Sequence, residues 1–179
     1  YDSNCDGVYD SVFISAGGSH SCGIDDSGSV HCWGYDYYGQ STPPNGSFVQ
    51  VSAGMYYSCA INTDGRVQCW GQISGLPSGI FVQLSAGYTH SCGVDSGGGI
   101  LCWGNDSYGQ MSDTPSGIFV QVSSGGYHSC GIDIAGNVQC WGRNDYGQST
   151  PPSVSFVHIS VGAFHSCGID VDGSIQCWG

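Results

Sequence analysis

Apolar and polar residues alternate in a short segment that recurs along the chain. It reads Phe-Val-Gln-Val-Ser from Phe48 and from Phe119, and Phe-Val-Gln-Leu-Ser from Phe81. A period of two, rich in β-branched residues, predicts a β-strand. A second segment, Cys-Gly-Ile-Asp-Asp-Ser-Gly-Ser-Val-His-Cys-Trp-Gly from Cys22, has two short apolar runs around a turn sequence and predicts a β-hairpin. No apolar run approaches the roughly 20 residues of a membrane helix, so membrane insertion is not expected.

The two segments together form a repeat that occurs five times. The first cysteines of the copies lie 33 to 38 residues apart, and they are Cys22, Cys59, Cys92, Cys130 and Cys167. Such a period is typical of propellers and solenoids, whose repeats bury their faces by stacking. The sequence therefore predicts an all-β, propeller-type array, either a closed ring or an open superhelical stack. Its predicted parts are an Asp-rich N-terminal linker at 1–12 and a repeat domain at 13–179, divided at about 13–47, 48–80, 81–118, 119–155 and 156–179.

A glycine in the hairpin loop of every copy fixes the pairing of the two strands. In the first copy a three-residue loop at 26–28 needs positive φ at its glycine and pairs Asp25 with Ser29. Counting back from the loop, Cys22 faces Cys32 at a Cα separation of about 4.5 Å, within disulfide reach. One disulfide in each repeat is therefore predicted: Cys22–Cys32, Cys59–Cys69, Cys92–Cys102, Cys130–Cys140 and Cys167–Cys177. Bridges between neighbouring repeats are the alternative, and zinc is disfavoured because no short Cys-x-x-Cys pair occurs.

Composition restricts the partners and the compartment. The formal net charge is −12, all acidic residues are Asp, and Lys and Glu are absent. The chain thus lacks the basic surface that binds phosphate, which disfavours nucleic acid and anionic membranes as partners. Ten of the eleven cysteines occur at hairpin spacing and indicate disulfides, so a secreted, extracellular protein is predicted.

The repeated polar residues suggest structural roles, because a catalytic constellation is normally made once. The histidines two positions before the first cysteine are expected to bond to backbone, and they are His20, His90, His128 and His165. The tryptophans of the Trp-Gly pairs are expected to pack between repeats, with sugar platforms as the alternative. No Gly-x-Ser-x-Gly motif and no phosphate-binding loop occurs, so neither an enzyme nor a resident cofactor is predicted.

The N-terminal segment has most of the oxygen ligands of a calcium loop. Asp2, Asn4, Asp6 and Asp10 occupy loop positions 1, 3, 5 and 9, with a glycine at position 6. Position 12 is Phe13, so the bidentate glutamate of such loops is missing. A weak calcium site is one hypothesis for this segment, and a polar linker is the other.

Three further residues are candidate sites of covalent chemistry. Cys5 is the odd cysteine, which in a secreted protein indicates an intermolecular bridge or a lost partner. Asn45 and Asn105 each begin an Asn-x-Ser sequon in a predicted exposed linker, so both are candidate glycosylation sites in a host that glycosylates.

The second copy departs from the pattern of the others. Its linker, from Gln72, is short and lacks the Tyr-Gly-Gln sequence of the others, and Met55-Tyr-Tyr57 replaces the histidine motif. Arg66 and Arg143 are the two basic residues of the chain. Because loops on rigid scaffolds carry function, Tyr56 with the two arginines is a candidate contact patch, and simple drift within a repeat is the alternative.

These features resemble the regulator of chromosome condensation repeats, which build β-propellers. The match consists of Ala16-Gly-Gly-Ser-His-Ser21, the Asp-x-x-Gly turn, the Trp-Gly pair, and Tyr-Gly-Gln at 38–40, 108–110 and 146–148. The version with two cysteines is similar to the extracellular crinkly-type repeats of receptor kinases. The resemblance covers 13–179 and implies a propeller fold, although family propellers typically have seven blades and this chain has five repeats. The family includes an exchange factor that binds chromatin, inhibitors of β-lactamase and receptor ectodomains, and the acidic balance disfavours the first role.

Two functions agree with these observations. The first is a non-catalytic extracellular scaffold whose copies join head to tail into a ring or filament. The first predicted strand starts near Phe13, and the last predicted hairpin closes at Trp178-Gly179. Residues 1–12 of one copy would then serve as the linker that follows the last repeat of another copy. The second is a secreted binding module whose loops hold a protein or a glycan.

Overall fold

Five small antiparallel sheets make up the chain. The structure is a computed structural model and describes residues 14–179. Fifteen strands form five three-stranded sheets, each ordered as in the chain. The first three sheets contain β1 (Ile14–Ala16), β2 (His20–Ile24), β3 (Val30–Gly34), β4 (Phe48–Ala53), β5 (Tyr57–Asn62), β6 (Val67–Gly71), β7 (Phe81–Ala86), β8 (His90–Asp95) and β9 (Ile100–Gly104). The last two contain β10 (Phe119–Ser124), β11 (His128–Asp133), β12 (Val138–Gly142), β13 (Phe156–Val161), β14 (Ser166–Asp170) and β15 (Ile175–Trp178).

Each sheet is built on the predicted hairpin. In the first, the Asp25 amide donates to the Ser29 carbonyl over 3.0 Å and the Gly28 amide donates to the Asp25 carbonyl over 2.9 Å. Gly28 has a φ of 81°, in the left-handed region that glycine tolerates. The Asp25 carboxylate accepts hydrogen bonds from Ser27 and Ser29, and with His31 these hold its pKa well below the usual range. The predicted hairpin register is confirmed.

A disulfide joins the second and third strands of every sheet. The pairs are those predicted, Cys22–Cys32, Cys59–Cys69, Cys92–Cys102, Cys130–Cys140 and Cys167–Cys177, so the alternative of bridges between repeats is wrong. Their Cα atoms are 4.0–4.1 Å apart, slightly closer than the expected separation. Each bridge closes a short loop and stabilises its sheet by about 2–3 kcal/mol, chiefly by restricting the unfolded chain.

The hydrophobic core lies between neighbouring sheets. At the first junction Ile24 and Val30 of one sheet pack with Phe48 and Val51 of the next. The same positions form the core at the three later junctions. Each internal sheet is therefore covered on both faces, as stacked repeats require.

The sheets curve around a common axis without closing. The loops between first and second strands of all five repeats line one cleft of about 380 Å³. Its small residues allow the loops to approach closely: a Cβ on Gly87 or Gly125 would collide with the carbonyl oxygen of Gly125 or Gly162, respectively. The outer faces of the first and last sheets stay exposed, as Ile14 and Ile175 show, so the closed-ring alternative is wrong and the array is open.

Some sequence predictions concern residues outside the described range. These are the linker at 1–12, the odd cysteine Cys5 and the calcium ligands Asp2, Asn4, Asp6 and Asp10. Within 14–179, no helix has the length and apolar character needed to cross a membrane. The same range holds no cluster of three or more His, Cys, Asp or Glu side chains that would bind a metal ion.

The tryptophans of the Trp-Gly pairs differ in burial, and this difference predicts a difference in stability. Trp103 is 1% exposed and packs against Phe81, whereas Trp33 is 51% exposed on the outer face of the first sheet. We expect Trp103→Ala to lower the free energy of unfolding by about 3–5 kcal/mol and Trp33→Ala by less than about 1 kcal/mol. Denaturant unfolding with the disulfides intact measures both values. Similar losses in the two variants would contradict the stacking described here.

Candidate functional site

Polar contacts at the junctions join each repeat to the following one through a buried serine. His20 Nε2 lies 2.7 Å from the Ser58 hydroxyl, and His90 lies 2.8 Å from Ser129 in the same way. The contact recurs at the fourth junction, between His128 and Ser166. The histidines were expected to have structural roles through bonds to backbone; the buried His20, His90 and His128 do have structural roles, and their side-chain partner is a serine hydroxyl of the neighbouring repeat.

Glutamines on the first strands clamp the backbone of the next repeat. Gln50 donates from Nε2 to the Leu84 carbonyl and accepts from the Leu84 amide, both over 2.9 Å. Gln83 and Gln121 repeat the pair of bonds at the next two junctions. Each clamp satisfies one backbone donor and one acceptor that the outer edge of a first strand would otherwise leave open.

Tyr57 replaces the histidine in the second repeat and bridges the same junction. Its hydroxyl lies 2.6 Å from the His90 carbonyl and 2.9 Å from the Ser91 hydroxyl. Burial raises the pKa of Tyr57 well above its usual range against the opposing hydrogen bond from Ser91, so this hydroxyl stays protonated. Tyr57 therefore keeps a polar contact between the second and third repeats although it replaces the histidine.

The linkers supply a carbonyl group to the tryptophan of the next repeat. The indoles of Trp70 and Trp141 donate to the Gln40 and Gln110 carbonyls over 2.9 Å. Trp103 follows the short second linker, which has no equivalent glutamine, and its buried indole nitrogen has no partner within residues 14–179.

The two end sheets present the two halves of a junction. On the last sheet Ile175 is 73% exposed, whereas Val30, at the same position of the first repeat, is 8% exposed because the second repeat covers it. On the first sheet Ile14 is 72% exposed, whereas the equivalent Val51 is 4% exposed. We call the exposed side of β13–β15 the last face and the exposed side of β1–β3 the first face.

The polar junction groups are also exposed at the last face. His165 and Ser160, which correspond to the junction residues of earlier repeats, are accessible. His158 stands where Gln50 and Gln121 make their backbone clamps, and it too is exposed. The last face therefore carries the same side of a junction that each earlier repeat presents to the following repeat, with His158 as the one changed residue.

Aromatic side chains follow the edge of the array where the linkers and the first loops meet. We call this edge the aromatic rim, and its members are Tyr35, Tyr37, Tyr38, Tyr56, Tyr88, Tyr108, Tyr127, Tyr146 and Phe164. Arg143 lies among its later members, with Cζ 5.1–6.0 Å from the ring centroids of Tyr108, Tyr127, Tyr146 and Phe164. Its Nε donates to Asp145 over 2.6 Å, and this bond raises the pKa of the guanidinium. The arginine is thus already engaged as a bridge between rings.

The structure does not bring the predicted contact patch together. Tyr56 precedes β5 and lies on the aromatic rim, in contact with Tyr38 at 5.3 Å between ring centroids. Arg66 is in the hairpin loop that follows the other end of β5. Arg143 shares the rim with Tyr56, so two of the three residues belong to one surface and Arg66 belongs to another.

A cleft of mixed polar and apolar lining interrupts the aromatic rim at the short second linker. It has a volume of about 410 Å³ and is lined by Gly71, Gln72, Ile73, Ser74, Thr89, Gly104 and Asn105. The sequence alone marks this linker as unusual but gives no sign that its shortening opens a cleft. Of the two sequons, Asn105 lies in this cleft and Asn45 lies in the first linker, and both asparagines are exposed. Glycosylation of either stays a prediction.

The repeats of the chain match a known family model. The Regulator of chromosome condensation (RCC1) repeat matches residues 12–40, 48–72, 81–110, 119–148 and 156–179. The chain belongs to this repeat family. Folds built from these repeats are in general non-catalytic. No curated protein sequence matches the chain.

Solved structures agree with the family and with its disulfide-bearing branch. The crinkly WD40 ectodomain of the Arabidopsis thaliana receptor kinase ACR4 is 30% identical, with a TM-score of 0.78 over 93% of this chain and 62% of that one. The entire ectodomain of the Physcomitrella patens receptor kinase CR4 is 30% identical, with a TM-score of 0.84 over 94% of this chain and 52% of that one. Prp20p from Saccharomyces cerevisiae, at 19% identity and a TM-score of 0.79 over 92% of this chain and 56% of that one, shares the fold. The chain therefore spans half to six tenths of these structures.

The buried junction histidines predict a loss of stability in mild acid. Burial lowers the pKa of His90 and of His128 to about 4, from an ordinary value of 6.5. Between these two pH values the unfolded chain binds protons that the folded chain excludes. Stability should therefore be constant above about pH 6.5 and fall as the pH drops toward 4, by at most about 1.4 kcal/mol per pH unit for each histidine. Urea unfolding at a series of pH values measures this slope.

A variant pair separates the histidines from other acid effects. The double variant His90→Gln/His128→Gln should show a shallower slope in this window, while the control Thr63→Gln, in an exposed hairpin loop, should keep the slope of the unchanged protein. The turn carboxylates, such as Asp133, have lowered pKa values and lose their contribution only below about pH 4. Equal slopes in all three proteins would show that the buried histidines do not control the acid response.

Proposed function

We propose that the chain is a non-catalytic extracellular scaffold whose copies join head to tail through the first and last faces. The observation that carries the proposal is the complementarity of the two faces. The last face offers the groups that repeats 1–4 present to the following repeat, with His158 as the exception. The first face offers Ile14, Ser21 and Trp33, the counterparts of groups that repeats 2–5 present to the preceding repeat, while the position of Phe48 is Ser11, outside the described residues. A second copy of this chain is thus an occupant of the required shape and chemistry.

Apolar contacts would supply most of the association energy. Ile169 and Ile175 of one copy would pack with Ile14 and Trp33 of the next, as their counterparts do at the internal junctions. Fully burying a large apolar side chain contributes about 1.5–3 kcal/mol, so four such residues provide a useful driving force against the loss of freedom on association. His165 would meet the Ser21 hydroxyl, as His128 meets Ser166 within the chain.

The extracellular location rests on two further observations. Five disulfides are the mark of an oxidising compartment, and the two plant structures similar to this chain are ectodomains of receptor kinases. A head-to-tail contact is heterologous, so it produces a ring if its rotation closes and a filament if it does not. Both products would be scaffolds.

A charge placed on the last face should abolish assembly. We expect the unchanged chain to form species that are multiples of 18.6 kDa and that grow with concentration. Ile175→Asp should give monomers because it buries a charge in the joint. Light scattering after size exclusion measures the mass. The matched control is Ile134→Asp, since Ile134 is 70% exposed in a hairpin loop away from both faces.

Mixing two defective chains tests the head-to-tail arrangement directly. Trp33→Asp damages the first face and Ile175→Asp damages the last face, so each chain keeps one intact face. The mixture should form dimers and nothing larger, while each variant alone stays monomeric. An unchanged chain that is monomeric at about 1 mM, or a mixture that forms no dimer, would refute the proposed assembly.

The changed residue of the last face predicts a variant that assembles more tightly. Gln50, Gln83 and Gln121 each make two bonds to the next repeat, and a histidine at position 158 has no amide to reproduce both. His158→Gln should therefore strengthen association about tenfold, through the two hydrogen bonds it restores to the backbone of Ile14 in the next copy. Sedimentation equilibrium of both proteins measures the change, and Thr63→Gln, in an exposed hairpin loop, serves as the control. Weaker or unchanged association would show that the joint differs from the internal junctions.

A further inference from the structure

We propose that the cleft at the second linker is a binding site for a neutral oligosaccharide segment. The cleft lies at a gap in the aromatic rim, between the half-buried Tyr56 and the exposed Tyr108, and its free polar groups are uncharged. This site is separate from the first and last faces, so it stands whether or not the chain assembles.

Backbone hydrogen bonds place a rim residue at each side of the cleft. The Gln72 amide donates to the Tyr56 carbonyl over 2.9 Å, which places the rim residue Tyr56 at one side. At the other side the Asn105 amide donates to the Thr89 carbonyl over 2.9 Å, and Tyr108 belongs to the same tight turn as Asn105. Two residues of the rim, Tyr56 and Tyr108, therefore border the cleft through their backbones.

Shortening of the second linker creates the opening. The other linkers contain a tight turn whose tyrosine contacts an aromatic residue of the next repeat, as Tyr38 contacts Tyr56 and Tyr108 contacts Tyr127. The second linker has no such tyrosine, and the third repeat has Thr89 in place of the aromatic partner. The two losses coincide, so one step of the rim is missing and a space of about 410 Å³ remains, within the range of small-ligand sites.

The polar groups of the floor suit hydroxyl groups rather than charges. The side chains of Gln72, Ser74 and Thr89 are exposed and make no hydrogen bond within the described part of the chain. The carboxylate beside the cleft, Asp106, accepts from the Met111 and Ser112 amides of its own turn, which lowers its pKa and keeps it ionised. No basic residue lines the cleft.

These properties together select a neutral sugar. Aromatic rings beside uncharged hydroxyl and amide groups match the apolar faces and the hydroxyl groups of a pyranose chain. An acidic polysaccharide would meet the net charge of −12 without a basic residue in the cleft to compensate. A basic peptide would be attracted by the net charge of −12 but would find no carboxylate among the residues that line the cleft.

Affinity electrophoresis tests this site. The chain is produced in the periplasm of a bacterium that lacks N-glycosylation, so that Asn105 stays unmodified, and it carries Ile175→Asp so that assembly does not affect migration. The gels contain mixed-linkage β-glucan, galactomannan, xylan or dextran, with dextran sulfate as the anionic probe. We expect at least one neutral polysaccharide to retard the protein, and the retardation to persist at about 0.5 M NaCl because no ion pair is involved.

Substitutions locate the binding within the cleft. Gln72→Leu/Thr89→Val removes the polar groups with little change of shape and should weaken binding about tenfold or more. Tyr108→Ala should weaken it similarly, and Tyr108→Phe should retain it because the ring remains. Thr63→Val, in an exposed hairpin loop, is the control for removal of a hydroxyl, and thermal unfolding checks that every variant is folded.

Three outcomes would overturn the proposal. They are migration unaffected by every neutral polysaccharide, retardation by dextran sulfate alone, and equal retardation of the unchanged cleft and the Gln72→Leu/Thr89→Val variant. Because the test uses an assembly-deficient chain, its failure would leave the head-to-tail proposal untouched, and failure of assembly would leave the sugar site untouched.

Discussion

Every sheet of this array depends on its contact with the next sheet. A three-stranded sheet with strands of three to six residues has two faces and too little chain to bury either of them alone. The junction solves this by placing Phe48 and Val51 of one repeat on Ile24 and Val30 of the preceding one. The buried serine beside this contact, such as Ser58, satisfies a histidine that the same burial would otherwise leave unpaired at both ring nitrogens.

The disulfides act within sheets and leave the junctions to noncovalent contacts. Cys22–Cys32 fixes one hairpin, and no bridge among residues 14–179 connects two repeats. The internal order of a sheet and the strength of a junction are therefore separate properties. A linker can be shortened, as the second one is, without disturbing the hairpins on either side, and this separation allowed the cleft to form.

The hairpins were predictable because their determinants are local. A three-residue loop with glycine at its third position determines which residues face each other, so the pairing of Cys22 with Cys32 followed by counting. The junction contacts were not predictable in detail. The bond between His20 and Ser58 joins residues in different repeats, and its geometry depends on how the two sheets are stacked.

The open form of the array depends on a quantity that no single residue carries. Whether five sheets close into a ring is decided by the rotation from each sheet to the next, and a small difference per junction accumulates along the array. The placement of Arg66 away from Tyr56 has a similar origin. Both residues lie near β5 in the sequence, but a strand of six residues extends about 20 Å and separates the two ends.

Comparison of equivalent junction positions among the five repeats shows which residues of this chain depart from the common pattern. A junction position is in contact with a neighbour, so a change there must be compensated or it weakens the array. Tyr57 is compensated, because its hydroxyl reaches the Ser91 hydroxyl and the His90 carbonyl of the next repeat. His158 has no such neighbour in the described structure, yet the residues around it keep the apolar character of a buried face, with Ile169 and Ile175 exposed. A sheet adapted to water would place polar side chains at these two positions, so the last face has the same chemistry as the faces buried at the internal junctions.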